Sequence, residues 1–365
     1  MIPYLEIRDK YTLKALNPIE PQECWFELSY QDIGEFEVYC RATQTNLNAL
    51  QKGRYITIPH KRFIWVITSV RYTYAVGGTR MILAKGYEAK WLLKKRCILT
   101  PKELQGTITK AVYGLVNHAL GTGASAARRI TDNNGNNKFF VDTNDLLIDI
   151  SGTQAPRGNL LEYVNPLLKQ YNCGSIVELK NGILKYRIFA GGVRTQSVRF
   201  AQSLDNLLSS EYLTDDTDKA TFALVVSTVE TEQPDGNKKD VEYPKEHNNG
   251  ATGIDRAEIY EDSNISTKYE DVNGEEKETT PDSALYQGWL KEEAKNKLTE
   301  HITTEEINGE IDIANSQYIF DTDFFIGDTV KVQDEYFKFS VNPRITKYTF
   351  KQDANGYGEE AEYGG

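Results

Sequence analysis

The sequence is poor in the residues that most often carry chemistry. Four histidines and four cysteines are spread over 365 residues. No two cysteines form a C-x-x-C pair, so Cys24, Cys40, Cys97 and Cys173 read as reduced thiols, mostly buried, and not as a disulfide or zinc framework. His60, His118, His247 and His301 stand apart in turns and helices, outside any H-E-x-x-H or Cys/His pattern. No apolar run approaches the ~18 residues of a membrane span. The start, Met1-Ile2-Pro3-Tyr4-Leu5-Glu6, lacks the basic and apolar regions of a signal peptide. A soluble protein without a membrane anchor, synthesised in a cytoplasm, is expected. Runs of five or six like charges are also missing, which excludes a polyelectrolyte tail.

What is present points to packed β structure. Hydrophobic residues make up 39% and aromatics 11%, with 22 tyrosines, a composition that favours strands and contact surfaces over a helical bundle. The length favours more than one domain. The net charge of −11 is unevenly placed. Residues 1–200 hold 27 Lys and Arg against 16 Asp and Glu, a net of +11; residues 201–365 hold 15 against 37, a net of −22.

Along the chain, residues 25–30 and 35–40 alternate apolar and polar positions around Asp32-Ile33-Gly34, the period of half-buried strands. Further strands are expected at 55–58 and 63–67, and at 71–75 and 80–84 flanking Gly77-Gly78, so residues 1–100 read as a first antiparallel β-barrel. Thr100-Pro101-Lys102-Glu103 has the form of a capping box, placing a helix from there to Gly121. A second helix is expected from Asn159, with Pro166 kinking or shortening it. Asn181-Gly182 between 176–179 and 183–189 predicts a type I′ hairpin. Residues 101–200 therefore form an α+β block. Residues 201–350 read as a second barrel, with a buried strand at 220–229 and a turn at 233–237. An alternating strand follows at 256–260, then a hairpin at Asn273-Gly274. A helix is expected over 281–301 carrying Tyr286, Leu290, Ala294 and Leu298, with a surface pair from Glu293 to Lys297. Strands at 318–320, 329–333 and 339–346 complete it. Residues 351–365, glycines among acids, read as a flexible acidic tail. The fold class expected is thus α+β and β-rich: two antiparallel β-barrel domains with an inserted α+β block and a helix in the C-terminal domain.

Motifs for chemistry fail on context. Gly121-Thr122-Gly123-Ala124-Ser125 follows a helix and lacks the Gly-Lys-Ser/Thr of a phosphate loop. It reads as a helix end running into a loop. Asp132-Asn133-Asn134-Gly135 opens like a calcium loop, but the sixth and twelfth positions are Asn137 and Thr143 where glycine and glutamate are required. Asp215-Asp216-Thr217-Asp218 and Asp321-Thr322-Asp323 read as solvated turns. Lys94-Lys95-Arg96 and Arg128-Arg129 are too small for a nucleic-acid stripe. No catalytic, cofactor-binding or metal residue is assigned, and no cofactor is expected.

Two segments resemble a known family. One is WFELSYQDIGEFEVYCRAT, residues 25–43; the other, within 320–346, runs Asp323-Phe324-Phe325-Ile326-Gly327-Asp328-Thr329-Val330 and later Pro343-Arg344-Ile345-Thr346. Between them lies Gly253-Ile254-Asp255-Arg256-Ala257-Glu258-Ile259-Tyr260. The order of elements resembles the tail-hub, or tail-associated (Tal-like), proteins of siphophages and prophages, whose fold is shared with baseplate hubs. The resemblance implies a non-enzymatic structural protein of the virion tail tip. It implies a homotrimer docked on a hexameric distal tail protein, adapting sixfold tube to threefold tip, with a channel for the tape measure protein and DNA. Receptor-binding or fibre proteins are further partners. DNA only passes through, without specific binding. Trp25, Gly34, Phe36, Arg256, Gly327, Asp328 and Arg344 are the structural signature it implies, with Arg344 pairing an acid across the sheet. Relatives with added fibre or wall-degrading domains continue further, so none is expected after Gly365. A receptor- or carbohydrate-binding tail protein is the alternative, and a peptidoglycan hydrolase the third reading.

Overall fold

The computed structural model describes residues 2, 4–74, 78–150, 152–207, 209–232, 237–311, 317–336, 338–354 and 356–364. The expected turns at Gly77-Gly78 and 233–237 fall partly outside them. In the strands Glu23–Ser29 and Glu35–Arg41, Cys24, Phe26, Leu28, Phe36, Val38 and Cys40 point into the core while Trp25, Glu27, Glu37 and Tyr39 alternate to the other face. That is the period-2 pattern of a sheet covered on one side. Trp65–Thr73 and Met81–Glu88 pair as the expected hairpin.

The larger sheet does not stop at the first block. Ten strands run in the order Glu6–Arg8, Tyr55–Thr57, Trp65–Thr73, Met81–Glu88, Glu35–Arg41, Glu23–Ser29, Arg344–Asp353, Gly356–Gly364, Thr304–Ile311, Ser209–Asp215. The protein is β-rich with few helices, and this sheet curls into a half-barrel. The two strand-rich blocks expected as separate barrels thus share one ladder, with Cys24 opposite Gln352 and Ser29 opposite Lys347. The flexible tail expected at 351–365 is corrected. Gly356–Gly364 is an inner strand between Arg344–Asp353 and Thr304–Ile311, burying Ala361 and Tyr363 while Glu360 and Glu362 meet Lys351 and Lys347. A period-2 pattern underlies its glycines and acids.

The middle block packs around Ile108, Val112, Val116, Leu160, Val164, Leu168, Phe139 and Tyr186, a core continued by Tyr55, Ile64 and Val66 of the first block. Its first helix is Ile108–Leu120, capped by Thr107, and not a helix from Thr100. Lys102–Leu104 is instead a strand against Thr153–Ala155, and Gly106, with φ of +79°, turns the chain into the helix. The second helix, Leu160–Gln170, starts under the Asn159 side chain and continues through Pro166. Gly174–Lys180 and Ile183–Phe189 form the hairpin, with Asn181 and Gly182 at φ of +53° and +73°, both positive as a type I′ turn requires.

A third layer is built from Phe222–Glu232, Lys238–Asn248 and Glu258–Asp262, covered by helix Ala284–Glu300. Tyr286, Trp289, Leu290 and Ala294 fill the space between helix and sheet. Ser283 caps this helix. The expected Glu293–Lys297 surface pair is not formed. Glu293 is drawn inward to the Ser263 hydroxyl, and Lys297 reaches Glu300 and Glu261 at 3.4 and 3.9 Å. Cys24, Cys40 and Cys173 are buried and Cys97 is exposed. Burial pushes the Cys24 thiol up to about 12 and the Cys173 thiol to about 11, so both stay protonated and inert.

Candidate functional site

The signature residues of the C-terminal segment converge on Tyr30, at the end of strand Glu23–Ser29. The Tyr30 ring is almost fully buried, and its hydroxyl donates to the Asn172 carbonyl at 2.6 Å. Gly174 and Gly327 lie against the ring from two segments, and a Cβ on either would overlap it. Gly327 has φ of +87°, the region glycine reaches without a steric penalty, and its N–H donates to the Ile345 carbonyl at 2.6 Å. Arg344 lies 5.4 Å from the Tyr30 ring centroid, and its Nη1 donates to the carbonyls of Ala190, at 2.9 Å, and Gly327. These described partners are main-chain oxygens and a ring, where an acid across the sheet was expected. A guanidinium in this place satisfies the carbonyls of two turning segments at once through a single nitrogen.

Asp328 completes the junction from the other side. Its buried carboxylate accepts from the N–H groups of Gly192 (2.6 Å) and Phe325 (3.0 Å) and from Arg194 Nε (3.3 Å). Asp328 thus closes its own turn and holds the chain leaving the middle block. Three regions of sequence, near 30, 172–194 and 325–346, are locked together here.

A second lock lies beside it. Glu178 accepts from Arg187 Nη2 at 2.9 Å and is ion-paired with Arg62, whose Nε lies at 2.9 Å without hydrogen-bond geometry, and Arg62 Nη2 reaches Asp321 at 2.6 Å. Both guanidiniums lie over the Phe325 ring, at 5.2 and 5.9 Å. Beneath is an aromatic cluster in which Phe320 stacks on Tyr348 with centroids 3.7 Å apart. Burial raises the Asp321 carboxyl against the opposing pull of Arg62 and Lys61.

A third is ionic. Lys90, fully buried where the first sheet meets the middle block, reaches Glu88 Oε1 at 2.8 Å and donates to the carbonyls of Ser29 (2.7 Å) and Ser175 (3.1 Å). Burial pulls its ammonium down, opposed by the Asp32 and Glu27 carboxylates.

The remaining signature residues lie elsewhere. Gly34 brings its backbone against the Glu27 carbonyl, where a Cβ would clash. Phe36 stacks on Phe26 at 5.4 Å in the core. Trp25 is half-buried on the opposite face of that sheet. Arg256 belongs to the third layer, 4.1 Å over the Phe222 ring and paired with Glu258, and does not join the junction. Sequence reading missed Tyr30, Arg194 and Lys90; the Gly191-Gly192 pair ahead of Arg194 was the one local signal. Asp132 turns on its own loop, accepting from the N–H groups of Asn134 and Asn136 at 2.9 Å. Among the described residues no group of three or more His, Cys, Asp or Glu is placed to hold a metal ion. Among the described residues no helix is long and apolar enough to cross a membrane.

This fold, a curled sheet that pairs Glu23–Ser29 with Arg344–Asp353 beside an α+β block, is shared with solved tail proteins. The tail protein from Neisseria meningitidis MC58 matches over 99% of this chain and 96% of its own, with a TM-score of 0.55 at 11% identity. The 43 kDa tail protein of prophage MuSo2 from Shewanella oneidensis matches over 99% and 97%, with a TM-score of 0.54 at 12% identity. No curated protein matches the sequence. The model of the family described as Siphovirus ReqiPepy6 Gp37-like protein matches residues 5–364, and the chain belongs to that family.

Proposed function

We propose that the chain is the hub of the tail tip, a structural and not a catalytic part. In this reading three copies form a ring. The two halves of the curled sheet, strands before residue 90 and strands after 208, take the places of two tube-like domains. Six such halves dock on a hexameric distal tail ring, and the threefold face receives fibre or receptor-binding proteins. Tape measure protein and DNA pass through the centre without sequence-specific contact.

The observation that carries this reading is the pairing of Glu23–Ser29 with Arg344–Asp353. It makes the two strand-rich blocks one rigid wall, as a subunit presenting two similar contacts to a sixfold ring requires. The net +11 of residues 1–200 and −22 of residues 201–365 supply opposite surfaces for neighbouring copies.

The test is reconstitution with a hexameric distal tail protein, followed by native mass spectrometry. A complex of three copies on six supports the hub. Failure to bind the ring at micromolar concentration, with both proteins folded, overturns it.

A further inference from the structure

Residues 38–87 contain eight Lys and Arg and no Asp or Glu, in a chain that is acidic overall. Part of that charge is neutralised from elsewhere, Lys85 by Glu37 and Arg62 by Glu178 and Asp321. Arg41, Arg71 and Arg80 are exposed, and none of the three forms an ion pair among the described residues. They stand together at one end of the hairpin Trp65–Thr73 and Met81–Glu88 and of the strand Glu35–Arg41 beside it, where Arg41 lies opposite Met81 and Met81 opposite Thr73. Tyr72 and Tyr74 at this end are 57% and 63% exposed, and the Arg80 guanidinium lies 5.2 Å from the Tyr74 ring centroid. Arginine and tyrosine are the residues enriched where proteins bury a contact. The other arginine cluster is committed to its own block: Arg96 donates to the carbonyls of Lys95, Ala119 and Arg128, and Arg128 to that of Cys97.

Residues 240–262 have the opposite bias, seven Asp and Glu against Lys245 and Arg256. In the third layer Ala223 and Val225 face helix Ala284–Glu300, so Leu224 and Val226 face away from it. The register sets Glu246 and Tyr260 on either side of Leu224, Pro244 and Asp262 on either side of Val226, and Glu242 opposite Thr228. Glu242, Pro244, Glu246, Tyr260 and Asp262 are all exposed. The two nearby cations are engaged, Lys245 with Gln287 of the helix and Arg256 with Glu258. The open face of this sheet is an apolar centre with an acidic rim, and Glu242, Glu246 and Asp262 form no ion pair among the described residues.

We infer that the Arg41, Arg71 and Arg80 end of one copy docks on this face of a second copy, with its tyrosines over Leu224 and Tyr260 and its guanidiniums on Glu242, Glu246 and Asp262. Charge and apolar surface match on both sides, and neither surface is neutralised within its own chain. The contact is heterologous, since each copy gives one surface and receives the other, the arrangement that closes a ring. The inference rests on the reading that copies meet through opposite charge, and it names where they meet.

The test is sedimentation of the full chain and of two exposed double variants, Arg71→Glu with Arg80→Glu and Glu242→Lys with Glu246→Lys, each checked by its melting curve. Either variant alone is expected to raise the dissociation constant for self-association at least tenfold, because like charges then face each other. An equimolar mixture of the two is expected to associate again, since the unaltered end of one meets the unaltered face of the other. Undiminished association of either variant alone overturns the inference, as does a mixture that stays dissociated. A wild-type chain that remains monomeric at high micromolar concentration overturns it too, and leaves the hub reading to be decided separately by binding to a distal tail ring. Binding of a single-stranded oligonucleotide to the monomer, abolished by Arg71→Glu with Arg80→Glu, would assign this end to nucleic acid and overturn the inference.

Discussion

The Tyr30 hydroxyl donates to the carbonyl of Asn172 at 2.6 Å, across 142 residues of sequence, and the same ring is the surface on which Gly327 and Arg344 rest. One side chain thereby joins the first sheet, the middle block and the returning C-terminal strands.

Tyr30→Phe keeps the ring and leaves the Asn172 carbonyl without this donor, so it is expected to cost about 1 kcal/mol. Tyr30→Ala removes the platform and is expected to cost about 3–5 kcal/mol. Urea denaturation of the two variants checks the ordering; equal losses would show that the ring packing contributes nothing.

Glycine at 327 answers two constraints, and a control separates them. Gly182→Ala, at a positive φ with open space around it, is expected to cost about 1–2 kcal/mol from backbone strain alone. Gly327→Ala adds overlap with Tyr30 and is expected to exceed it clearly. Similar melting shifts in the two variants would remove the proposed overlap from the account.

The Lys90–Glu88 pair predicts non-additivity. Lys90→Met leaves a buried carboxylate uncompensated and is expected to lose about 3–5 kcal/mol. Adding Glu88→Gln is expected to restore much of that loss. A double mutant no more stable than the single one would contradict the pairing.

Buried tyrosines set an alkaline limit. Burial is the main cause raising the phenols of Tyr30, Tyr186 and Tyr363, and it pushes that of Tyr113 up to about 12. In the unfolded chain these groups lose their protons near pH 10. Folded, they hold them longer, so their stabilisation is complete below pH 10 and is lost as pH rises from there. Absorbance at 295 nm is expected to show a delayed class of tyrosines whose ionisation coincides with loss of the far-UV signal. Titration of all tyrosines together near pH 10, with the fold intact, would refute this.

If neighbouring copies meet through the basic and acidic halves, assembly weakens with salt. Raising sodium chloride from 50 to 500 mM is expected to lower the fraction of trimer in analytical ultracentrifugation severalfold. Salt-independent assembly would point to an apolar interface.

The sequence was readable where its information is local. The alternation over 23–41, the Asn181-Gly182 turn and the Asn159 start of a helix follow from neighbours two to four residues away. Thr100-Pro101-Lys102-Glu103 misled because its competitor is distant: Lys102–Leu104 pairs with residues 153–155, a bond no capping pattern reveals. The strand at 356–364 was masked by its composition, since Ala361 and Tyr363 are two apolar signals among glycines and acids. In the junction, Gly327-Asp328 was readable as a turn. The role of Arg344 was not, because its partners at 190 and 327 are backbone atoms that leave no mark on the sequence.

Because the strand next to Glu23–Ser29 is Arg344–Asp353, the first strands to leave the ribosome wait for some of the last. The large sheet is therefore completed only after nearly the whole chain has emerged. Its folding is expected to be slow, since pairing across more than three hundred residues demands loop closure before any reward. A fragment ending before residue 344 would expose the edge of an unfinished sheet, making it a substrate for chaperones and proteases and not a candidate for incorporation. In the proposed assembly, completion of synthesis thus acts as a checkpoint on which copies can join.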